Sequence, residues 1–429
     1  MRLIHNIIEI TLKDGNCLFV NGLSGAVDLI YGKDLDTLQA WKKEADIQPK
    51  TINDKALFDK LVSRKYIMTE TEEANYKEQL IKKLQARQNT SLSAQCAWFV
   101  LSYNCNFACP YCYESGVPQG NVMSKEMIDR VFSLNPDIKS IGLFGGEPLL
   151  LGHKALIEHI IEQAPKDAAF FVITNGYYLE EYVDTLSKVN VKNIQVTLDG
   201  TEHRHNMTRI LRNGMPSYQK ILSGIRLCVK NDLPVTIRMN LSRDNMQDCF
   251  TEKAHLQETE WGQKLSFELQ PLFQSDIDDH QMIFDEMFTN DHQDPYGTNR
   301  LLEKMSVLSN FLYNNTPMRP VLKACDTEGQ NRFYDSEGNI YNCILAVGNP
   351  EKSIGTYYPD AVLKEKSFLT RDITKIEKCK NCAAALLCGG GCPNGIPAQC
   401  DLYSPNCWNY LHDINYTIPQ IWELKNSVK

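Results

Sequence analysis

The stretch CNFACPYC, residues 105–112, places three cysteines at a CxxxCxxC spacing directly after a predicted strand. Cys105, Cys109 and Cys112 can bind three irons of a [4Fe-4S] cluster. Because such clusters are normally held by four Cys, the fourth iron then stays open to a substrate or cofactor. Soft thiolates also bind zinc, so the spacing alone does not identify the metal. The stretch therefore predicts a metal site.

The composition of the 429-residue chain, with 43% hydrophobic and 23% charged residues, predicts a globular protein of two or three domains. A net charge of -8 and the lack of a basic stripe argue against sequence-independent binding to nucleic acid or to an anionic membrane. The N-terminus lacks a secretion signal, and no stretch reaches the roughly 18 apolar residues of a membrane span. We therefore expect a cytoplasmic protein.

The 15 cysteines predict metal sites rather than disulfides, because a reduced cytosol does not support a disulfide framework. Eight of them lie between Cys325 and Cys407. Four others lie in apolar or helical patterns and are interpreted as buried structural thiols: Cys17, Cys96, Cys228 and Cys249.

The first 88 residues predict a winged-helix-like domain. A turn at Asp14-Gly15 signals a hairpin, and two helical patterns and a short β-like segment follow it. The segments in chain order are strands at 4–10 and 17–21, helices at 34–44 and 53–64, the β-like YIMTET at 66–71 and a charged helix at 72–87.

Residues 95–310 predict an α/β domain, a partial (β/α)6 TIM-like barrel, because strand and helix patterns alternate. The candidate strands are 97–102, 139–145, 168–174, 192–198, 234–240 and 265–271. In such sheets the chemistry lies at the carboxyl ends of the strands. After residue 315 the periodicity fades while Cys, Gly, Asn and Pro increase, so residues 315–429 predict a loop-rich domain that metal clusters stabilise.

Further motifs follow successive predicted strands. Gly145-Gly146-Glu147-Pro148 ends the second strand, Thr174-Asn175-Gly176 the third and Thr197-Leu198-Asp199-Gly200 the fourth. Together with the cysteine motif, in which Tyr111 precedes the last Cys, this series resembles the radical S-adenosylmethionine (SAM) family. The resemblance implies a [4Fe-4S] cluster on Cys105, Cys109 and Cys112 that binds SAM.

The resemblance also implies the residues of the SAM pocket. Glu147 would meet the SAM ammonium and Asn175 would lie near the ribose. Thr197 and Arg209 would hold the methionyl carboxylate. The GGE glycines Gly145 and Gly146 would let the backbone approach SAM. The stretches 205–209 and 238–240 resemble the pocket lining of the same family.

The C-terminal cysteines resemble the seven-cysteine pattern of the SPASM subfamily, which predicts one or two auxiliary [4Fe-4S] clusters. By this resemblance the first cluster uses Cys325, Cys343 and Cys392, and the second uses Cys379, Cys382, Cys388 and Cys407. The family usually has one more Cys shortly upstream of the first, and none lies between Cys249 and Cys325. The first cluster therefore has an open iron, or Cys400 completes it, or Cys400 replaces Cys407 in the second.

SPASM relatives mostly act on peptides or proteins, and the N-terminal module resembles a leader-peptide recognition element, including residues 21–30. We therefore expect a radical SAM peptide maturase that installs an intramolecular thioether or carbon–carbon crosslink in a ribosomally made precursor peptide with a leader. A low-potential donor such as flavodoxin or ferredoxin would supply electrons. The N-terminal module could instead be a packing appendage that binds nothing.

Two other functions stay open. The first is sulfatase-maturase-like oxidation of a Cys or Ser in a protein substrate, and the second is a non-catalytic iron–sulfur or zinc protein that senses redox state or carries electrons. Glu268, Asp276 and His280 lie near strand ends as candidate general bases. Such residues are more often solvated or salt-bridged, so the sequence assigns no catalytic residue.

Overall fold

The computed structural model describes residues 1–272, 318–324, 331–397, 399–407, 418–419 and 422–423. The chain clusters into two units: the first joins 1–89, 302–328 and 370–429, and the second joins 90–301 and 329–369. The predicted division into domains at 1–88, 95–310 and 315–429 stays a prediction, and the two units group these segments differently. None of the helices in the described ranges is long and apolar enough to cross a membrane.

The first unit begins with a three-stranded antiparallel sheet of order β2-β3-β4 and a two-stranded pair of β1 with β5. Its elements are β1 Arg2–Leu3, β2 Ile7–Thr11, β3 Cys17–Asn21, β4 Val27–Ile30, α1 Gly32–Trp41, α2 Ile52–Ser63, β5 Ile67–Met68 and α3 Glu70–Gln85. The predicted hairpin and helices are all present, whereas the sequence pattern missed β4.

Local sequence explains where the helices of this module begin. Thr51 and Thr69 each cap a helix in a reciprocal capping box, with Asp54 and Glu72 as the third residues. One face of the sheet then shares a core with α1 and α2, formed by Phe19, Leu38, Trp41, Leu57, Leu61 and Tyr66. The Tyr66 hydroxyl lies in this core and shares its one hydrogen between the backbone oxygens of Phe19 and Ala26, at 2.8 and 2.9 Å.

The second unit contains a sheet of ten strands with order β11-β10-β9-β8-β7-β6-β12-β13-β14-β15. Its first part is parallel: β6 Cys96–Val100, β7 Ser140–Phe144, β8 Ala169–Thr174, β9 Asn190–Thr197, β10 Val235–Leu241 and β11 Ser266–Pro271. The helices between them are α4 Lys125–Leu134, α5 Lys154–Gln163, α6 Val183–Leu186, α7 Glu202–Thr208, α8 Tyr218–Lys230 and α9 Met246–Glu258. The predicted partial barrel is confirmed with its six parallel strands, and the segment after residue 272, which follows β11, lies outside the described residues.

The segment predicted to be loop-rich adds four strands to the other edge of this sheet. β12 Asn331–Asp335 pairs in parallel with β6, and β13 Asn339–Tyr341, β14 Gly355–Thr356 and β15 Val362–Leu363 follow in antiparallel order. Buried Asp335 fixes the junction, because it accepts the hydroxyls of Tyr103 and Tyr341 at 2.8 and 3.1 Å. Tyr103 thereby ties the chain just beyond β6 to this extension.

Residues 379–407, the C-terminal cysteine segment, belong to the first unit, where the short helix α10 Ala385–Cys388 lies. Its core joins the N-terminal module to this segment through Ile4, Leu23, Leu322, Ile376, Cys379 and Leu386. Polar contacts reinforce the core: the His5 ring lies 2.7 Å from the Asn381 oxygen, and Asn6 donates to the Ala383 oxygen at 3.1 Å.

We expect Tyr66→Phe to lower the free energy of unfolding by about 1–2 kcal/mol, because two buried carbonyl oxygens lose a donor while the core keeps its shape. The measurement is denaturant unfolding of the cluster-free chain, followed by circular dichroism. Tyr31→Phe is the matched control, since the Tyr31 side chain is 62% exposed. Equal denaturant midpoints for Tyr66→Phe and the wild type would contradict a stabilising role of the Tyr66 hydroxyl.

Candidate functional site

The cysteine loop, residues 104–114, follows the carboxyl end of β6 and carries Cys105, Cys109 and Cys112 half-buried. Burial raises the pKa of Cys105 to about 12 and also raises the pKa of the Cys109 and Cys112 thiols. Thiolates, not thiols, bind metal, so a cation is needed to hold these side chains deprotonated in such an environment.

The donor set fits an iron cluster in its chemistry. Cys109 lies close enough to Cys105 and Cys112 for its charge to raise the pKa of both. Within the described ranges, no three His, Cys, Asp or Glu side chains already converge as ligands of one metal ion. The assignment of the three thiols as cluster ligands therefore stays a prediction that rests on the motif.

Glu147, at the carboxyl end of β7, is buried and its carboxylate bridges two strand ends. Oε1 accepts from the Thr174 hydroxyl at 2.6 Å and from the Leu149 amide at 2.8 Å, and Oε2 accepts from the Asn175 amide at 2.7 Å. Burial raises the pKa of Glu147, and these hydrogen bonds oppose that shift. The chain's own donors thus occupy the carboxylate that was predicted to meet the SAM ammonium, and that role stays a prediction.

The GGE turn and the TNG turn both contact the cysteine loop. The Glu147 amide donates to the Asn104 oxygen at 2.8 Å, and the Gly146 amide donates to Glu114 Oε2 at 3.0 Å. From the next strand, Asn175 Nδ2 donates to Asn106 Oδ1 at 2.8 Å and lies 3.9 Å from the Cys105 sulfur. The structure therefore brings Gly146, Glu147 and Asn175 together beside Cys105.

Arg209 reaches the same loop from the segment after α7. Its Nη1 donates to the Tyr111 hydroxyl at 2.8 Å and lies 3.9 Å from Asp199 Oδ2. The Tyr111 hydroxyl in turn donates to Asp199, which also accepts from the backbone and side-chain nitrogens of Asn240, at 3.3 Å each. Burial raises the pKa of Asp199, and the Arg209 charge opposes that shift. The hydroxyl of Tyr111 is thus hydrogen-bonded both to the Asp199 carboxylate and to the Arg209 guanidinium.

SAM also fits the polar groups around the cysteine loop. Around this loop, three of the buried atoms without a hydrogen-bond partner among the described residues are Arg209 Nε, Asn106 Nδ2 and Glu114 Oε1. SAM carries a carboxylate and ribose oxygens that accept hydrogen bonds and an ammonium that donates them. SAM therefore carries groups that can form hydrogen bonds with these three unpartnered atoms.

The other predicted pocket residues lie at neighbouring strand ends. Thr197 is buried at the end of β9, where it pairs with Arg238 of β10. His205 is buried against Ser217, and burial lowers its pKa well below the usual range, so its ring is neutral. Glu268, a candidate base, is buried 3.7 Å from the Arg238 guanidinium. Asp276 and His280 lie outside the described residues.

A second group of predicted ligands lies in the first unit: Cys379, Cys382, Cys388, Cys392 and Cys407. The charges of Cys382 and Cys407 act on Cys379, and those of Cys407 and Cys379 act on Cys388, so each of the four thiols of the predicted second auxiliary cluster lies within electrostatic reach of at least one other. Burial raises the pKa of Cys379 and Cys388 to about 11 each.

The remaining predicted cluster cysteines lie elsewhere. Cys343 lies in the second unit, after β13, at the start of a 3-10 turn formed by Ile344–Ala346, and Cys400 lies exposed in a turn of the first unit. Cys325 falls outside the described residues. The predicted ligands of the first auxiliary cluster, and the place of Cys400, therefore stay predictions.

A glycine turn between Cys388 and Cys392 shapes the second group. Gly391 has φ +74, and a Cβ there would lie 1.6 Å from the Asn406 oxygen. Asn406, which precedes Cys407, returns a hydrogen bond from its amide to the Gly390 oxygen at 3.0 Å and another from Nδ2 to the Cys392 oxygen at 3.1 Å. Only a residue without a side chain allows this approach of two cysteine-bearing segments.

Residues 99–251 match the family model described as the Radical SAM superfamily. The chain carries a radical SAM domain. This family uses a [4Fe-4S] cluster and SAM. GTP 3',8-cyclase of Aliarcobacter butzleri is 30% identical over 139 residues, which cover 31% of this chain and 42% of that protein. The enzyme of the same name from Clostridium perfringens strain 13 is 30% identical over 155 residues, 34% of this chain and 47% of that protein. The chain thus spans about half the length of the curated relatives it matches.

Solved structures extend the similarity of fold beyond the radical SAM domain. The sulfatase-maturing enzyme anSMEcpe with bound AdoMet has a TM-score of 0.57 at 18% identity and covers 77% of this chain and 95% of its own. SuiB of Streptococcus suis bound to the precursor peptide SuiA has a TM-score of 0.53 at 13% identity and covers 94% of this chain and 98% of its own. At these identities the comparisons show a shared fold.

Two polar residues at these sites were not anticipated from the sequence. Glu114 lies two residues beyond the cysteine motif of the radical SAM domain. The only sequence feature that could have marked it as a site residue is the presence of a carboxylate so close to these cysteines. Arg371 contacts the glycine turn between Cys388 and Cys392, and nothing in its local sequence marks it. Both depend on contacts between segments that are distant in the chain.

We expect Glu114→Gln to stabilise the cluster-free chain at pH 8 by roughly 1–3 kcal/mol relative to wild type, and to have little effect near pH 5. Burial raises the pKa of Glu114 from 4.5 to about 7, so the wild-type folded state holds a proton that the unfolded state releases, and its stability falls as pH rises through this window. Gln remains neutral and can still accept from Gly146.

Denaturant midpoints at the two pH values measure this difference. Glu126→Gln is the control, because hydrogen bonds lower the pKa of this exposed carboxyl instead of raising it. The same loss of stability between pH 5 and pH 8 in wild type and Glu114→Gln would contradict the role of Glu114.

We expect Gly391→Ala to remove about four irons from the reconstituted chain, the content of one [4Fe-4S] cluster, while the cluster of the radical SAM domain is retained. Iron analysis with electron paramagnetic resonance (EPR) tests this. Gly214→Ala is a matched control, since Gly214 also has φ +74 but a Cβ there would meet nothing within 4 Å. Full iron content in Gly391→Ala would show that the turn does not shape a cluster site.

Proposed function

We propose that the chain is a radical SAM maturase that modifies a ribosomally made precursor peptide, by an intramolecular thioether or carbon–carbon crosslink. The observation that carries this proposal is the extent of the shared fold. SuiB, solved with a precursor peptide, covers 94% of this chain, whereas anSMEcpe covers 77%. The similarity to a peptide maturase therefore takes in more of the chain than the similarity to a sulfatase maturase.

When bound, the cluster and SAM would supply a 5'-deoxyadenosyl radical that removes a hydrogen atom from the peptide. Cys105, Cys109 and Cys112 would hold the cluster. Glu147 and Asn175 would keep the GGE and TNG turns against the cysteine loop, and Arg209 would offer its unpartnered Nε to the methionyl carboxylate. The burial of Asp199 and Arg209 beside the loop would exclude water from this side of the site.

The N-terminal module would bind the leader of the precursor at β4. This strand lies at an edge of its sheet, and Val27 and Leu29 on it are half-buried. An added peptide strand could pair with such an edge through backbone hydrogen bonds and place its apolar side chains beside these two residues. The module also shares a core with the C-terminal cysteine segment, so a leader bound here would be held on the unit that carries the second cysteine group.

The complete proposal includes auxiliary [4Fe-4S] clusters on the C-terminal cysteines, a low-potential donor such as flavodoxin or ferredoxin, and a cytoplasmic setting. The buried Cys379 and the half-buried Cys388 support the clusters, because desolvation without metal would hold their thiols protonated. A mere electron carrier has no evident use for the Glu147 and Asn175 contacts beside Cys105, which argues against a purely redox or sensor role.

Sulfatase-maturase-like oxidation of a Cys or Ser in a protein is the second candidate. The observation in its favour is the fold shared with anSMEcpe, which has been solved with AdoMet and a Cys-containing peptide named Cp18Cys. The N-terminal module separates the two candidates, because a leader-dependent reaction requires it and oxidation of a short peptide motif does not.

The reaction itself is tested with the anaerobically reconstituted chain, SAM, dithionite and a precursor peptide encoded beside the gene. We expect the peptide to lose two hydrogen atoms per crosslink, detected by mass spectrometry, and the crosslinked residues to resist separation on fragmentation. Cys105→Ala should abolish both changes. Oxidation confined to one Cys or Ser would favour the second candidate, and an unchanged peptide with active SAM cleavage would contradict the assignment of that substrate.

We expect Leu29→Glu to weaken binding of the leader peptide by at least about tenfold, because a carboxylate would be desolvated at the peptide edge. Fluorescence anisotropy of a labelled leader measures this. Thr11→Glu, on the opposite edge strand β2, is the matched control and should bind as wild type. Equal affinities of the two variants for the leader peptide would show that the leader does not bind at β4.

A further inference from the structure

Arg371 is a buried cation that contacts two separate backbone segments. Its side chain is 3% exposed and forms four hydrogen bonds to carbonyl oxygens. Nη1 donates to Gly391 at 3.0 Å and Nη2 to Gly390 at 2.7 Å, while Nε donates to Leu402 at 2.9 Å and Nη2 also to Ser404 at 3.0 Å. The guanidinium thus joins the segments 390–391 and 402–404.

Both segments carry predicted ligands of the second auxiliary cluster. Residues 390–391 lie between Cys388 and Cys392, and residues 402–404 lead to Cys407. A planar guanidinium with five donors in a fixed arrangement holds carbonyl groups in a defined geometry, which a lysine ammonium cannot reproduce. Arg371 therefore contributes to the shape of the site where these cysteines meet.

The charge of Arg371 is also held close to a predicted ligand. Gly390, whose oxygen accepts from Nη2 at 2.7 Å, lies two residues after Cys388. A cluster held by four thiolates is negatively charged, and reduction adds a further negative charge. A buried cation nearby favours the reduced form, because reduction potentials depend on the net charge around the cluster.

We propose that Arg371 is a positioning residue of the second auxiliary cluster, which holds its two ligand-bearing segments and raises its reduction potential through its buried charge. This inference rests on the proposed assignment of Cys379, Cys382, Cys388 and Cys407 to one cluster. It adds a residue outside the cysteine pattern to that site.

The experiment isolates this cluster in the full-length chain. Cys105→Ala, Cys109→Ala, Cys112→Ala and Cys343→Ala together form a background that lacks ligands of the other two predicted clusters. In this background Arg371→Lys keeps the charge, whereas Arg371→Gln removes it, and both break the four-carbonyl arrangement. Iron content and the midpoint potential, from an EPR-monitored redox titration, are measured for each.

Arg332→Gln is the matched control. Arg332 is also fully buried and donates to backbone oxygens, to Ser91 at 2.7 Å and Asn331 at 2.9 Å, but it belongs to the second unit. We expect this variant to keep the potential of the background chain. A shift as large as that of Arg371→Gln would show that any lost buried guanidinium changes the potential and would overturn the proposal.

We expect the background chain to hold about four irons, Arg371→Lys to keep a potential near that of the background, and Arg371→Gln to shift to a lower potential. Iron retained in Arg371→Lys but lost in Arg371→Gln also supports the role of the charge, because both substitutions break the four-carbonyl arrangement and only lysine keeps the charge. Loss of iron from both Arg371→Lys and Arg371→Gln also supports the positioning role, because both substitutions break the four-carbonyl arrangement. Full iron content and equal potentials in the two variants would overturn the proposal. A background chain without iron would instead refute the cluster assignment on which the proposal depends.

Discussion

Two buried carboxylates hold the loops at the carboxyl edge of the parallel sheet. Glu147 accepts hydrogen bonds from the end of β8, and Asp199 accepts them from Tyr111 in the cysteine loop and from Asn240 in β10. An ionised carboxylate in the interior costs several kcal/mol unless its donors stay in place. The strand ends and the cysteine loop are therefore held in one arrangement, and the SAM pocket proposed here depends on it.

The first unit is stabilised in a different way, because its cysteine-rich segment has little regular secondary structure with which to form a core of its own. It shares a core with the N-terminal module, in which Cys379 and Leu386 pack with Ile4 and Leu23. Backbone hydrogen bonds from a buried guanidinium and a tight glycine turn then bring the ligand-bearing segments together. Peptide binding and cluster binding are thus proposed for one folded unit, which links the two parts of the function physically.

Most of the parallel sheet was predictable, because its strands are buried apolar runs and its motifs each follow a strand. β4 was missed since Val27-Asp28-Leu29-Ile30 lies within a turn-rich stretch. The strands β13 to β15 were missed because they are short, and β12, with the sequence NRFYD, was missed because it has no apolar run. The positions of the cysteines followed from spacing. The partners of Glu147, Asp199 and Arg371 did not, because such contacts join residues far apart in sequence and depend on the finished fold.

The measurement that tests the central claim most directly is a joint analysis of metal and SAM cleavage in the anaerobically reconstituted chain. The account predicts about twelve irons with matching sulfide, the sum for three four-iron clusters, and release of 5'-deoxyadenosine from SAM under dithionite. Alanine at Cys105, Cys109 and Cys112 should abolish cleavage and remove about four irons. Zinc in place of iron, or clusters without SAM cleavage, would contradict the account and leave a structural or redox metal protein.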